Sequence, residues 1–139
     1  MPQLSKSQVS LVISGEDLAP NEITELLGCE PTKASAQSKG LAASTAGDER
    51  TTSHGHWRLY DGINEPADLD AHIASLAGRL TADLSVWDNL ASRFDIQLFA
   101  SLTMLEWNEG CEISSEALRT LSDRHIGLGL DIYAHLDTD

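Results

Sequence analysis

The chain has 139 residues, of which 41% are apolar, and a formal net charge of −13. That size and composition give one globular domain with a real core and argue against a disordered chain. The charge argues against a nucleic-acid binder or a partner of anionic membranes, because both rely on Lys and Arg to meet phosphate.

The acidity is uneven. Residues 1–60 carry five basic and seven acidic groups, and residues 61–139 carry four basic and fifteen acidic groups. An excess of this kind keeps a protein soluble and also steers it toward a basic protein partner. No apolar run approaches the roughly 20 residues that span a bilayer. The start, MPQLSKSQVS, lacks the apolar core of a signal peptide, so the expected compartment is the cytoplasm. There Cys29 and Cys111 are expected to remain free thiols.

In chain order, Val9, Leu11 and Ile13 alternate with Ser10, Val12 and Ser14, the pattern of a strand with a buried face. Gly15 marks a turn. Pro20 suits the first position of a helix, Glu22 complements the helix dipole, and Ile23, Leu26 and Leu27 form the apolar stripe. Gly28 fits a left-handed stop, and Pro31 prevents resumption. The following residues, 33–52, are rich in Ala, Ser, Thr and Gly without a sustained period and read as a mobile loop.

Ser53–Tyr60 predicts a second strand. Trp57 and Leu59 face the core, and His54, His56, Arg58 and Tyr60 share the other side. Asp61, Gly62 and Asn64 predict a turn. Pro66–Phe94 is helical by its Leu and Trp spacing, and two helices with a break near Thr81 are favoured over one. Asp95–Trp107 predicts the longest strand. Ile96, Leu98, Ala100 and Leu102 lie on one face, and Phe99, Ser101, Thr103 and Leu105 lie on the other. Ser114 caps a last helix, with Ile113 and Leu118 as a staple and Leu118 and Leu121 facing inward. Leu128, Leu130 and Ile132 alternate with Gly129, Asp131 and Tyr133 in a final strand.

Three stretches carry a family resemblance. Gly15–Thr32, reading G-x-x-L-x-P-x-E-I-T-x-x-L-G-x-x-P-T, the H-W-R-L around Trp57, and the terminal L-D-I-Y at Leu130–Tyr133 resemble a bacterial family known as domain of unknown function 4279. The resemblance spans most of the chain and implies a single small α/β domain. It implies no reaction, cofactor or catalytic residue.

Strand and helix order predicts an α+β domain: a four-stranded, mainly antiparallel sheet with helices on one face, ferredoxin-like with a helical insertion. The other face then collects His54, His56, Arg58, Tyr60, Phe99, Ser101, Thr103, Asp131 and Tyr133. Gly129 is expected to leave space there for a ligand. His54 and His56, two apart on a strand, are weak metal candidates with Asp131 as a third ligand. His56 with Asp131 is a weak acid–base pair without a nucleophile motif. No phosphate-binding glycine motif is present, and no cofactor is expected. Aromatic residues beside Arg58 fit a contact surface better. The expected function is a non-catalytic protein-binding module, as a homodimer or, like an immunity protein, against a basic partner. The alternative is a small ligand or metal on the open face.

Overall fold

The computed structural model describes residues 4–36 and 55–134. Strand β1 (Lys6–Gly15) lies at the centre of the sheet, and its inward row buries Ser7, Val9, Leu11 and Ile13. Helix α1 (Pro20–Leu27) follows. It starts on Pro20 and ends on Gly28, whose φ of 75° lets its N–H reach the Thr24 carbonyl. Strand β2 (Lys33–Ser35) is short and exposed, and β3 (Gly55–Asn64) runs longer than the alternation suggested.

Helix α2 (Leu69–Arg79) is capped by Asp68, which accepts from the Ala71 N–H, and α3 (Leu84–Arg93) by Asp83, which accepts from the Ser85 N–H. The helical stretch is thus two helices. The restart is capped by Asp83, while Thr81 donates its N–H to the Leu27 carbonyl and its own carbonyl accepts from Trp87 Nε1. Strand β4 (Asp95–Met104), helix α4 (Ser115–Asp123, capped by Ser114) and strand β5 (Gly127–Ala134) complete the chain.

The sheet order is β2-β3-β1-β4-β5. Among its neighbours β1/β3, β1/β4 and β2/β3 are antiparallel, and β4/β5 are parallel. Two expectations are corrected here. The sheet has five strands, since Lys33–Ser35 pairs with β3 inside a segment read as loop; the rest of 33–52 from residue 37 lies outside the described residues. The sheet is also mixed and does not have the ferredoxin-like order. In that order another strand separates each pair joined through a helix; here β3 separates β1 from β2 and β1 separates β3 from β4, but β4 and β5, joined through α4, are direct neighbours. The crossover through α4 returns the chain in the same direction, which is why the last pair is parallel.

The core lies on one side of the sheet. Leu11, Ile13, Trp57, Leu59, Leu98 and Leu102 from the strands join Ile23, Ile73, Trp87, Leu90 and Leu121 from the helices in one buried cluster. Trp57 is fully buried and gives its indole N–H to Thr24 Oγ1 at 3.1 Å, joining β3 to α1. No described helix is long and apolar enough to cross a membrane.

Candidate functional site

The helix-free face is built by alternation. Each strand that sends Leu or Trp to the core sends its next residue the other way. Tyr60, Ser10, Phe99 and Gly129 form one row across β3, β1, β4 and β5, and Gln8, Ser101 and Asp131 form the next. Gln8, Ser10, Tyr60, Phe99, Ser101 and Asp131 line a shallow hollow of about 370 Å³. Of the residues expected on this face, the structure brings Tyr60, Phe99, Ser101 and Asp131 to that hollow. Thr103 pairs with Tyr133 at one end, and the Tyr133 hydroxyl donates to Asp131 at 2.7 Å. That bond to a carboxylate, and the nearby negative charge, raise the phenol above its ordinary value.

The basic residues gather at the opposite edge. Lys33 pairs with Arg58, and Ser35 with His56. Burial, then the charges of Arg58 and Lys33, hold the His56 imidazole below its ordinary range. Two strands, β1 and β4, separate His56 from Asp131. Three strand spacings are about 14 Å, too far for a shared proton or a shared ion. The acid–base pair is therefore not assembled, nor is the metal set that joined His56 to Asp131. His54 lies outside the described residues. Among the described residues no three His, Cys, Asp or Glu side chains converge as metal ligands.

Gly129 does not leave a ligand space. A Cβ placed there would stand 3.0 Å from Phe99 Cδ1, so the ring already leans over the glycine. Phe99 is thereby carried toward β5, and it remains 48% exposed.

The exposed apolar residues are concentrated at this end of the molecule. Among the described residues, nine large hydrophobic side chains are exposed, and all but Ile63 and Leu84 fall on β4, β5, α4 or the β4–α4 loop. On the open face these are Phe99 and Tyr133, with Leu105 just past the end of β4. At the loop tip is Trp107, 92% exposed. The loop is ordered by Glu109, whose carboxylate accepts from the Leu105 and Glu106 N–H groups at 3.1 and 3.0 Å. On the helix side are Leu118, Leu130 and Ile132. Leu118 was expected to face inward, but Ala117 and Leu121 form the buried stripe of α4 and leave Leu118 turned outward. Leu130 and Ile132 occupy inward positions of an edge strand that no helix fully covers.

One polar constellation went unread in the sequence. Asp61 continues the inward row of β3 after Trp57 and Leu59. The expected turn is instead strand, which pairs Val9 with Asp61 and shifts register before Ser7. Ser7 lies on the inward row of β1, and His72 lies on the apolar stripe of α2. These three meet. His72 Nδ1 stands 2.7 Å from Asp61 Oδ2, and His72 Nε2 stands 2.8 Å from Ser7 Oγ. A carboxylate only accepts, so Nδ1–H donates to Asp61, and the other ring nitrogen, Nε2, is bonded to the Ser7 hydroxyl. This has the connectivity of a serine hydrolase triad. Yet Ser7 is 1% and His72 0% exposed. Ser7 Oγ also accepts the Asp68 N–H at 3.0 Å. No substrate carbonyl reaches Oγ while α2 lies on the sheet, so the relay joins β1, β3 and α2 as structure. On the same side, a cavity of about 20 Å³ lined by Leu11, Leu76 and Trp87 holds little more than one water-sized group and is no ligand site.

A family model described as domain of unknown function (DUF4279) matches residues 5–135. No curated protein and no solved structure matches the chain.

Proposed function

The chain belongs to this DUF4279 family, and we propose that it acts as a non-catalytic protein-binding module whose contact surface is the β4–β5 end of its sheet, where the open face meets the sheet edge, used for self-association. The observation that carries this reading is that seven of the nine large apolar side chains exposed among the described residues lie on β4, β5, α4 or the loop between β4 and α4, with Phe99 and Tyr133 on the open face itself. Apolar area left in water is unfavourable, and a gathered patch of it marks a contact surface where scattered residues do not. Three of the seven, Phe99, Trp107 and Tyr133, are aromatic, a residue class enriched at interface centres. The hollow at its centre is lined by one charged side chain, Asp131, beside Gln8, Ser10, Tyr60, Phe99 and Ser101, which supports a second copy over the basic partner that acidity alone suggested. Two-fold dimers are the commonest soluble assemblies. We place this activity in the cytoplasm of a bacterium, following the cysteine usage and the family resemblance.

A small ligand in the hollow beside Tyr60 and Phe99 is the second reading. The Tyr133–Asp131 bond at its rim, which presents fixed polar atoms, favours it. Solution mass by light scattering, on wild type and on Phe99→Glu, tests the first reading. A dimer in wild type that the substitution splits is expected, since a carboxylate in an apolar contact is strongly disfavoured. A monomer at every concentration overturns self-association.

A further inference from the structure

β5 is the last strand in the sheet order, and among the described residues nothing pairs with its outer side. It pairs with β4 without a bulge, from Gln97↔Gly127 to Met104↔Ala134. Its sequence, GLGLDIYA, has no Pro and no Lys. Proteins ordinarily guard an edge with those residues, with bulges or with inward-pointing charge, because open N–H and C=O groups template further pairing. This edge has none of these guards. Its single charge, Asp131, points to the open face, and its helix-side row is Leu128, Leu130 and Ile132. Leu130 and Ile132 are each 52% exposed.

We propose that two copies of the chain pair antiparallel along β5, about a two-fold axis at Leu130, joining their sheets into one. This rests on the self-association reading and names its seam. The register follows from alternation and charge. Residues directly opposite in an antiparallel pair share a face, so the axis passes through a residue of β5. An axis at Asp131 sets Asp131 against its own copy, and like charges directly opposed are destabilising. An axis at Leu130 opposes Leu130 to itself and Leu128 to Ile132, which completes an apolar row on the helix side. On the open face it sets Asp131 opposite Gly129, which has no side chain, and Tyr133 opposite Gly127. The two glycines of β5 thus fall where the partner's two bulkiest open-face residues arrive. Phe99, leaning over Gly129, lies beside the seam, and Leu118 of α4 flanks the apolar row.

The test is site-directed disulfide formation in full-length protein carrying Cys29→Ser and Cys111→Ser. Cβ atoms of directly opposed strand residues lie about 4.5–5.5 Å apart, close to what a disulfide spans, and diagonal neighbours do not. Under mild oxidation Leu130→Cys is expected to give a covalent dimer and Asp131→Cys to remain monomeric on denaturing gels. A second variant, Leu130→Lys, is expected to halve the solution mass with its circular dichroism unchanged. The reverse cross-linking pattern overturns the register. A dimer that resists Leu130→Lys and cross-links at neither position, yet is split by Phe99→Glu, overturns the β5 seam and leaves the open-face reading standing. A monomer in all variants and in wild type overturns both.

Discussion

Ser7 Oγ and His72 Nε2 stand 2.8 Å apart in the interior, joining the central strand to the helix above it. The bond is one link of a chain that ends outside. His72 continues to Asp61, and Asp61 Oδ1 accepts from Ser75 Oγ at 3.0 Å and from Arg79 Nη2 at 3.1 Å. Every buried polar atom named here has a partner, the condition under which such a network is stabilising and specifies one packing.

Breaking it leaves partners stranded. His72→Ala removes a fully buried ring, opens a cavity and leaves Ser7 and Asp61 short of a partner. The expected loss is about 2–4 kcal/mol of unfolding free energy, read as a lower urea midpoint. The same residues should be chemically silent. A fluorophosphonate probe is expected not to label Ser7 in the folded protein, and stoichiometric labelling lost in Ser7→Ala would overturn the structural assignment.

A second prediction concerns the phenol at the rim of the open face. The chain has two tyrosines, Tyr60 and Tyr133. The Tyr133 phenol is raised above 10.0 by its bond to Asp131. Asp131→Asn removes the negative charge that opposes phenolate formation. Alkaline difference absorbance should therefore show one tyrosine ionising at lower pH in the variant than in wild type. An unchanged curve would mean that the 2.7 Å bond does not persist in solution.

The Glu22–Arg93 pair gives a pH-dependent prediction. Arg93 Nη2 and Nη1 donate to the two Glu22 carboxylate oxygens at 2.7 and 2.9 Å, joining α1 to the end of α3. The hydrogen bond to Arg93 lowers the Glu22 pKa from 4.5. A carboxyl depressed in the folded state stabilises above its unfolded pKa, and that contribution is lost as pH falls through the folded value. Both side chains are about two-fifths exposed, so solvent screening keeps the effect below about 1 kcal/mol. Glu22→Gln should be slightly less stable than wild type at pH 7, and the difference should close on acidification below 4.5. Denaturant midpoints across that range measure it.

Much of the fold was legible because its segments obey clear periods. Ile23 and Leu27, Leu69 to Leu76, and Ile96 to Leu102 each follow the spacing of the element they form. Pairing was less legible. Lys33–Ser35 is three exposed residues with no alternation to read, and its membership in the sheet comes from β3 alone. The direction of β5 beside β4 is set by the α4 crossover, which no local pattern encodes. On the open face, alternation assigned Tyr60, Phe99, Ser101 and Asp131 correctly, since parity is a local property. It did not show that His56 and Asp131 stand at opposite ends of the face, since strand order is tertiary. The Ser7–His72–Asp61 relay was present as three polar residues on inward rows, at Ser7 before Val9, at Asp61 after Leu59 and at His72 before Ile73. A polar residue on an apolar stripe signals a buried partner, but Asp61 and Gly62 also have the composition of a turn, which masks the strand that carries Asp61 inward.

The contact between Phe99 and Gly129 yields the last prediction. An added Cβ at Gly129 meets Phe99 Cδ1 at 3.0 Å and Cε1 at 3.1 Å, along one edge of a half-exposed ring. Such a ring yields by rotating about χ1, so Gly129→Ala should fold and cost no more than about 1 kcal/mol. The cost arises from one neighbour, and it should vanish when that neighbour is removed. In a double-mutant cycle, Gly129→Ala in a Phe99→Ala background is expected to be neutral or stabilising, because a strand glycine loses more backbone entropy on folding than alanine does. Equal costs in both backgrounds would show that Gly129 is required for its backbone, and that Phe99 does not rest on β5 in solution.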